Sequence, residues 1–248
     1  MKRYFYACFV LINFLLPGCK KQSAEVSLPV LDDYYPLETG RVLIYRLDSS
    51  LIPLYGSELK INSYLAKDSI ADTIRDNQQR LSYRVYRFVT DTLAVQSWQP
   101  TGTYYITPAN NSVEVVDDNN LRFIKLKEPI RNDFNWEGNS YIDTKSNNFL
   151  YEYLEGWKYT YQNVNQPYPV IKGVLDNTIT VLQQDETSPE GPFDPDSYQQ
   201  RNYSVEVYAK GIGLVYKEFL HWAWQTDPPP AHYDNNSYGI KLSLIDYH

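Results

Sequence analysis

Arg80-Leu-Ser-Tyr-Arg-Val-Tyr-Arg-Phe-Val-Thr90 alternates with a period of two. Leu81, Tyr83, Val85, Arg87 and Val89 share one face, and Ser82, Arg84, Tyr86 and Phe88 share the other. That period belongs to a strand with two unlike faces, and its β-branched and aromatic residues suit a pleated surface. Working outward, the same signal recurs along the chain. Upstream lies Arg41 to Asp48; downstream lie Thr92–Gln99, Thr103–Thr107, Ser112–Val116 and Leu121–Lys127. Pro108-Ala-Asn-Asn111 and Asp117-Asp-Asn-Asn120 punctuate these runs, which predicts an antiparallel meander.

The second half repeats the pattern. Trp157, Tyr159 and Tyr161 alternate with Lys158, Thr160 and Gln162, giving one aromatic face and one polar face. Asn177–Gln183, Asn202–Gln225 and Tyr238–Asp246 are further strand material. Lys67–Arg80 admits a helix through Ile70 and Ile74, but Asp72 between them also fits a strand with both isoleucines on one face, and strand is the reading adopted. No other segment sustains a 3.6-residue period. The fold class expected is mostly β, a single antiparallel-sheet domain shaped as a curved half-barrel or a sandwich, with little helix. Asp185–Tyr198, acidic and proline-broken, and Thr226–Tyr233, with Pro228-Pro229-Pro230, read as excursions from that sheet.

The amino-terminal segment carries different information. Lys2 and Arg3 precede an apolar run, Phe9 to Leu16, broken only by Asn13, and Phe14-Leu-Leu-Pro-Gly-Cys19 closes it. This is the layout of a secretory signal, too short to span a bilayer as a mature helix. Its ending on Cys19 resembles the lipobox of bacterial lipoproteins, which are cleaved before that cysteine and acylated on it with chains such as palmitate. A plain signal peptide and a single-span anchor are the alternatives. The organisation expected is therefore a signal peptide over residues 1–18, a lipidated tether over 19–33, and a β-rich globular domain over 34–248. More than one acyl chain gives stable anchoring, at roughly 0.8 kcal/mol per buried methylene.

Composition bounds the function. Removing 18 of the 248 residues leaves a chain long enough to bury a core without disulfides. Cys8 leaves with the signal and Cys19 becomes the anchor, so an intradomain disulfide, a cysteine nucleophile and a thiolate metal site are excluded. The formal charge of −7 becomes −9 once Lys2 and Arg3 are lost, and nucleic-acid binding needs the opposite sign. Tyrosine is in excess, with 24 against one methionine, which fits half-buried rings with hydroxyls at wet edges.

Few residues point to chemistry. His221 and His232, with Asp227 and Asp234 nearby, lack metalloprotease spacing, and intervening prolines exclude a shared helix. Asp185, Glu186, Glu190, Asp194 and Asp196 offer oxygen ligands of the calcium type without an EF-hand pattern, and a solvated loop is the simpler reading. Gly211-Ile-Gly213 lacks the third glycine of a nucleotide fingerprint, and no Gly-x-Ser-x-Gly elbow occurs. No catalytic residue, metal or cofactor is assigned. In Phe219-Leu-His-Trp-Ala-Trp224 the two tryptophans lie on one strand face, either as a sugar platform or, as we favour, as packing. The candidate ligand contacts are Trp222, Trp224, Trp157, Tyr159 and Tyr161.

Two blocks carry a resemblance. Tyr35-Pro-Leu-Glu-Thr-Gly40 with Tyr45-Arg-Leu-Asp48, and Tyr208-Ala-Lys-Gly-Ile-Gly-Leu-Val-Tyr-Lys-Glu218, resemble the opening and closing blocks of a group of uncharacterised Bacteroidetes-type outer-membrane lipoproteins. Asn177–Val181 lies between them at a matching place, and Leu43 departs from the group's tryptophan. The resemblance implies one mostly-β domain on an outer-membrane lipid anchor and brings no catalytic residues. It also suggests a curved sheet like those of periplasmic lipoprotein carriers. Lys20-Lys-Gln-Ser-Ala-Glu25 lacks the acidic run such bacteria use for surface display, which favours the periplasmic face. The partners expected are the membrane, through the lipid, and a lipid, glycan or envelope-protein ligand. Catalysis is the less favoured alternative, as an envelope hydrolase.

Overall fold

A computed structural model describes residues 30–52, 56–146 and 149–248. Cys19, the expected signal peptide and most of the expected tether lie outside the described residues. One antiparallel sheet makes the whole architecture. Its strands are β1 (Val42–Leu51), β2 (Lys60–Arg75), β3 (Leu81–Thr90), β4 (Gln99–Ala109), β5 (Ser112–Val116), β6 (Arg122–Lys127), β7 (Asn135–Glu137), β8 (Lys158–Val170), β9 (Gly173–Ser188), β10 (Gln199–Ala209), β11 (Gly213–Gln225), β12 (His232–Tyr233) and β13 (Tyr238–Tyr247). The order across the sheet is β6-β5-β4-β3-β2-β1-β13-β11-β10-β9-β8-β7, with β12 added to β11. Neighbours in sequence are therefore mostly neighbours in space, as the meander reading expected.

The two ends of this path meet. The Ile124 amide on β6 donates to the Gly138 carbonyl just beyond β7 at 2.8 Å, and Trp136 Nε1 donates to the Ile124 carbonyl at 2.8 Å. Tyr161 on β8 completes the seam, its hydroxyl accepting from the Lys127 amide and donating to the Lys127 carbonyl, both at 2.9 Å. The sheet is thus nearly closed into a barrel, which removes the exposed edges that an open half-barrel would present. A Cβ at Gly138 would come within 2.5 Å of the Tyr159 ring, so only glycine lets the seam approach so closely.

Twist and bulges set which side chains point inward. Tyr83, Val85 and Arg87 face the interior, as the alternation of β3 expected, opposite Ile106, Tyr104 and Gly102 of β4. The isoleucines of β2 do not share a face. A bulge between Ile70 and Asp72 puts Ile70 in the core opposite Val85, while Ile74 pairs with the buried Ser82 on the opposite face of the sheet. Thr92–Trp98 is not a strand. The Asp91 carboxylate accepts the amides of Leu93, Val95 and Gln96 and folds the segment into a turn, a local alternative that outcompetes the ladder. The acidic loop is shorter than expected, since β9 runs through Asp185 to Ser188. A 3₁₀ turn over Phe149–Leu154 and the short β7 carry no sequence period long enough to be read.

The interior is plugged at one end by the segment before β1. Leu31–Tyr34 forms a single helical turn, α1, with Leu31 and Tyr34 buried, so packing begins within the segment assigned to the tether. Asp33 binds the β10–β11 turn twice, its carbonyl accepting the Gly211 amide at 2.6 Å and its carboxylate pairing with Lys210 at 3.0 Å. Arg41 donates to the carbonyls of Gly211 and Ile212, and Tyr45 donates to that of Leu214 at 3.0 Å. The two blocks that carried the resemblance therefore meet at this end. On the outer face, Tyr168 of the long β8–β9 hairpin packs on Tyr216, and Val170 and Leu175 join the cluster around Val207 and Val215. Among the described residues, no helix is long and apolar enough to cross a membrane.

Candidate functional site

Between the plug and the opposite end, the barrel encloses a cavity of about 390 Å³. Its walls come from β3 to β6, β8 to β11 and β13, each supplying the residues its pleat turns inward. The apolar part is aromatic: Phe123, Trp157, Tyr159 and Phe219 with Leu154 and Ile240. Tyr35 from the plug forms the floor and separates this cavity from a smaller one of about 30 Å³ lined by Leu43, Tyr45 and Val85. Asp117, Asp118 and Asn119, in the β5–β6 turn, stand at the far end with Tyr151, Tyr153 and Tyr238. The strand directions place that end opposite α1. The loops there leave Leu51, Ile61, Leu93 and Val95 exposed.

Two charged networks line the walls. In the first, Arg87 Nε and Nη2 grip both carboxylate oxygens of Asp68, at 2.7 and 2.6 Å, and the Tyr104 hydroxyl donates to Asp68 at 2.9 Å. Burial works against the Arg87 charge, but the Asp68 carboxylate more than offsets it and the guanidinium is held protonated. In the second, Glu206 on β10 is the hub. Its Oε1 accepts from Lys125 Nζ at 2.8 Å and lies 3.6 Å from Lys217 Nζ. Its Oε2 accepts from Gln183 Nε2 and the Tyr208 hydroxyl, both at 2.7 Å, and Ser204 braces Gln183 at 2.7 Å. Burial opposes the Glu206 charge, yet the Lys125 and Lys217 ammoniums overcome it and bring its carboxyl down to about 2. Burial and the like charge of Lys125 bring Lys217 down to about 8, against the pull of Glu206.

Local sequence explains how Lys217 reaches the interior. A bulge where β11 pairs with β10 between Val207 and Tyr208 shifts the alternation, so that Leu214 and then Lys217 and Phe219 line the cavity. The Lys217 side chain keeps 28% of its surface accessible, whereas Glu206 keeps 2%.

The five residues proposed from sequence divide into two groups. Trp157 and Tyr159 line the cavity, and Tyr161 lies beside them in the closing seam, its ring tilted against Trp136 at 4.7 Å. Trp222 and Trp224 lie elsewhere. Both meet Phe193 and Tyr233 edge to face, and Trp224 Nε1 donates to the Pro195 carbonyl at 2.9 Å. The pair clamps the acidic loop and the proline loop to β11, the packing role favoured above. His221 is buried, bonded to Asn202 at 2.7 Å and stacked on Tyr153 at 3.9 Å, and burial brings it down to about 4. His232 bonds the Pro230 carbonyl, and Asp194 caps its own loop through Asp196 and Ser197.

Sequence reading missed Asp68, Lys125, Gln183, Glu206 and Lys217. A signal for Glu206 was present: it shares the parity of Ser204 and Tyr208 inside Ser204-Val-Glu-Val-Tyr208, a charge in an apolar strand. Lys125 in Phe123-Ile-Lys-Leu126 is similar. That the two meet depends on register across the barrel, which no local window holds.

No protein-family model matches the chain, and no curated protein does. Two crystal structures align with most of it. One, a candidate lipoprotein from Parabacteroides distasonis ATCC 8503, has a TM-score of 0.41 and 10% identity, covering 86% of this chain and 97% of that one. The other, a candidate exported protein with YmcC-like fold from Bacteroides fragilis NCTC 9343, has a TM-score of 0.38 and 9% identity, covering 86% and 99%. The fold described above rests on strand pairing and not on these likenesses.

Proposed function

We propose that this chain is a lipid-anchored envelope protein that holds an amphipathic small molecule inside its barrel. The observation that carries the reading is the cavity: about 390 Å³, walled by aromatic side chains with charged groups at fixed points. Small-molecule sites of roughly 300–1,000 Å³ combine an apolar wall with a few placed polar groups in this way. The signal-like segment ending at Cys19 supports an outer-membrane lipid anchor, and Lys20-Lys-Gln-Ser-Ala-Glu25 favours its periplasmic face.

Binding is favoured over hydrolysis by the pairing of the buried carboxylates in the two networks. Asp68 is locked in a bidentate pair with Arg87 and Glu206 is bonded to Lys125, Gln183 and Tyr208, so neither is the unpaired carboxyl that a glycosidase would turn to its substrate. A glycan platform at Trp222 and Trp224 is disfavoured by their use in clamping two loops.

The test uses the full chain expressed with its own leader in a bacterial host. Solvent extraction of the purified protein should yield a stoichiometric small amphiphile, lost in Ile240→Trp, which fills the cavity. An empty extract from both proteins would contradict the carrier reading and bring glycan titration and partner capture forward. Labelled palmitate should enter the wild-type chain and not Cys19→Ser.

A further inference from the structure

We infer that Lys125 and Lys217 form an anion-binding head to the cavity, selecting a monocarboxylic acid whose carboxylate meets the two ammoniums and whose apolar body lies along Phe123, Trp157 and Phe219. The inference rests on the cavity reading above and adds the chemistry of the ligand.

Charge accounting within the walls is the argument. Arg87 and Asp68 form a matched bidentate pair and leave nothing over. Lys125 and Lys217 share the carboxylate of Glu206; the charge of Asp117 also reaches Lys217, but no salt bridge joins those two, so the Lys217 ammonium has carboxylates near it and none in hydrogen-bond contact. Glu206 is also committed to Gln183 and Tyr208 through its other oxygen. At 3.6 Å, Lys217 Nζ is too far from Oε1 for a hydrogen bond, and it borders the cavity. A half-buried ammonium with no carboxylate in hydrogen-bond contact is under-solvated, and a ligand carboxylate would complete it.

The other groups facing this pair set the ligand's charge. Tyr104 and Tyr159 are neutral, since burial holds both hydroxyls well above their ordinary range. Asp117 and Asp118 stand at the far end, where the Asp117 carboxylate caps its own turn by accepting the Asn119 and Leu121 amides. Burial raises the Asp117 carboxyl, yet two carboxylates there still oppose any polyanion. One negative charge completes the Lys217 ammonium; a phosphomonoester would bring a second towards Asp117 and Asp118.

The experiment measures decanoate, decan-1-ol and decyl phosphate binding to the full chain in amphipol, with empty amphipol as blank, by calorimetry from pH 7 to 9.5. Decanoate should bind wild type at least about tenfold tighter than decan-1-ol at pH 7, the worth of one charge-assisted hydrogen bond. It should also take up protons near pH 8, where binding holds Lys217 protonated. Lys217→Met should keep decan-1-ol binding and lose both the preference and the proton uptake, while Lys217→Arg restores the preference. Equal binding of acid and alcohol to wild type, a preference that survives Lys217→Met, or tighter binding of the phosphate would each overturn the anion head while leaving the cavity reading intact. Binding of none of the three would overturn the cavity reading and this inference with it.

Discussion

The two charged networks in the barrel wall solve the same problem in different ways. Arg87 and Asp68 meet one to one, with a planar guanidinium matched to both oxygens of a carboxylate and Tyr104 closing the set. Lys125, Lys217 and Glu206 meet two to one, with point charges whose donors are not all used. The first arrangement is complete in the protein alone and fixes β2 against β3 and β4. The second leaves the Lys217 ammonium without a carboxylate in hydrogen-bond contact, on a side chain that borders the cavity. Arginine and lysine are not interchangeable here: the fork suits a closed pair, and the flexible ammonium suits an open one.

The largest effect expected is from breaking the open network at its hub. Glu206→Gln removes the carboxylate that pairs with buried Lys125 and neighbours half-buried Lys217, and should cost about 3–5 kcal/mol in urea unfolding at pH 7, the range for orphaning a buried charge. A loss below about 1 kcal/mol would show that water reaches the lysines and that the interior is wetter than the packing implies. Asp68→Asn should cost less, about 2–3 kcal/mol, since the Arg87 side chain is more accessible than that of Lys125 and the asparagine oxygen still accepts one of its donors. If the two losses were reversed, the contrast between a closed and an open network would fail.

The smallest effect sharpens the comparison most. Lys217→Met should be near neutral or stabilising at pH 7, because a charge held below its ordinary pKa destabilises the folded state. Its direction with pH follows from the shift. Lys217 sits at about 8 when folded against 10.5 unfolded, so between those values the unfolded chain binds the extra proton and stability rises with pH. Wild type should gain stability from pH 8 to 9.5 and Lys217→Met should not, by chemical denaturation across that window. Above pH 10 the rise ends as the unfolded tyrosines ionise, since those such as Tyr159 and Tyr208 are held neutral in the fold.

How much of this was legible follows the range of each interaction. The strands of β3 and β8 were readable because their period is local, and so was the aromatic face of Trp157, Tyr159 and Tyr161. Closure was not: it depends on Ile124 meeting Gly138 and Trp136, contacts set by the twist summed over the whole sheet. Bulges hid two further features, splitting Ile70 from Ile74 and turning Lys217 inward. At the site, the sequence supplied half of the wall. Trp157 and Tyr159 stood out as aromatics, but Glu206 and Lys125, 81 residues apart, gain meaning only once the barrel brings them within 2.8 Å. Trp222 and Trp224 drew notice for the same aromatic reason and turned out to hold loops.

Anomalous diffraction from crystals of the protein grown with 10-bromodecanoic acid reads the ligand's place and direction at once. The bromine is expected inside the barrel among Phe123, Trp157 and Phe219, with the carboxylate against Lys217. A bromine on the outer face, or a chain lying in the cavity with its carboxylate turned away from both lysines, would contradict it.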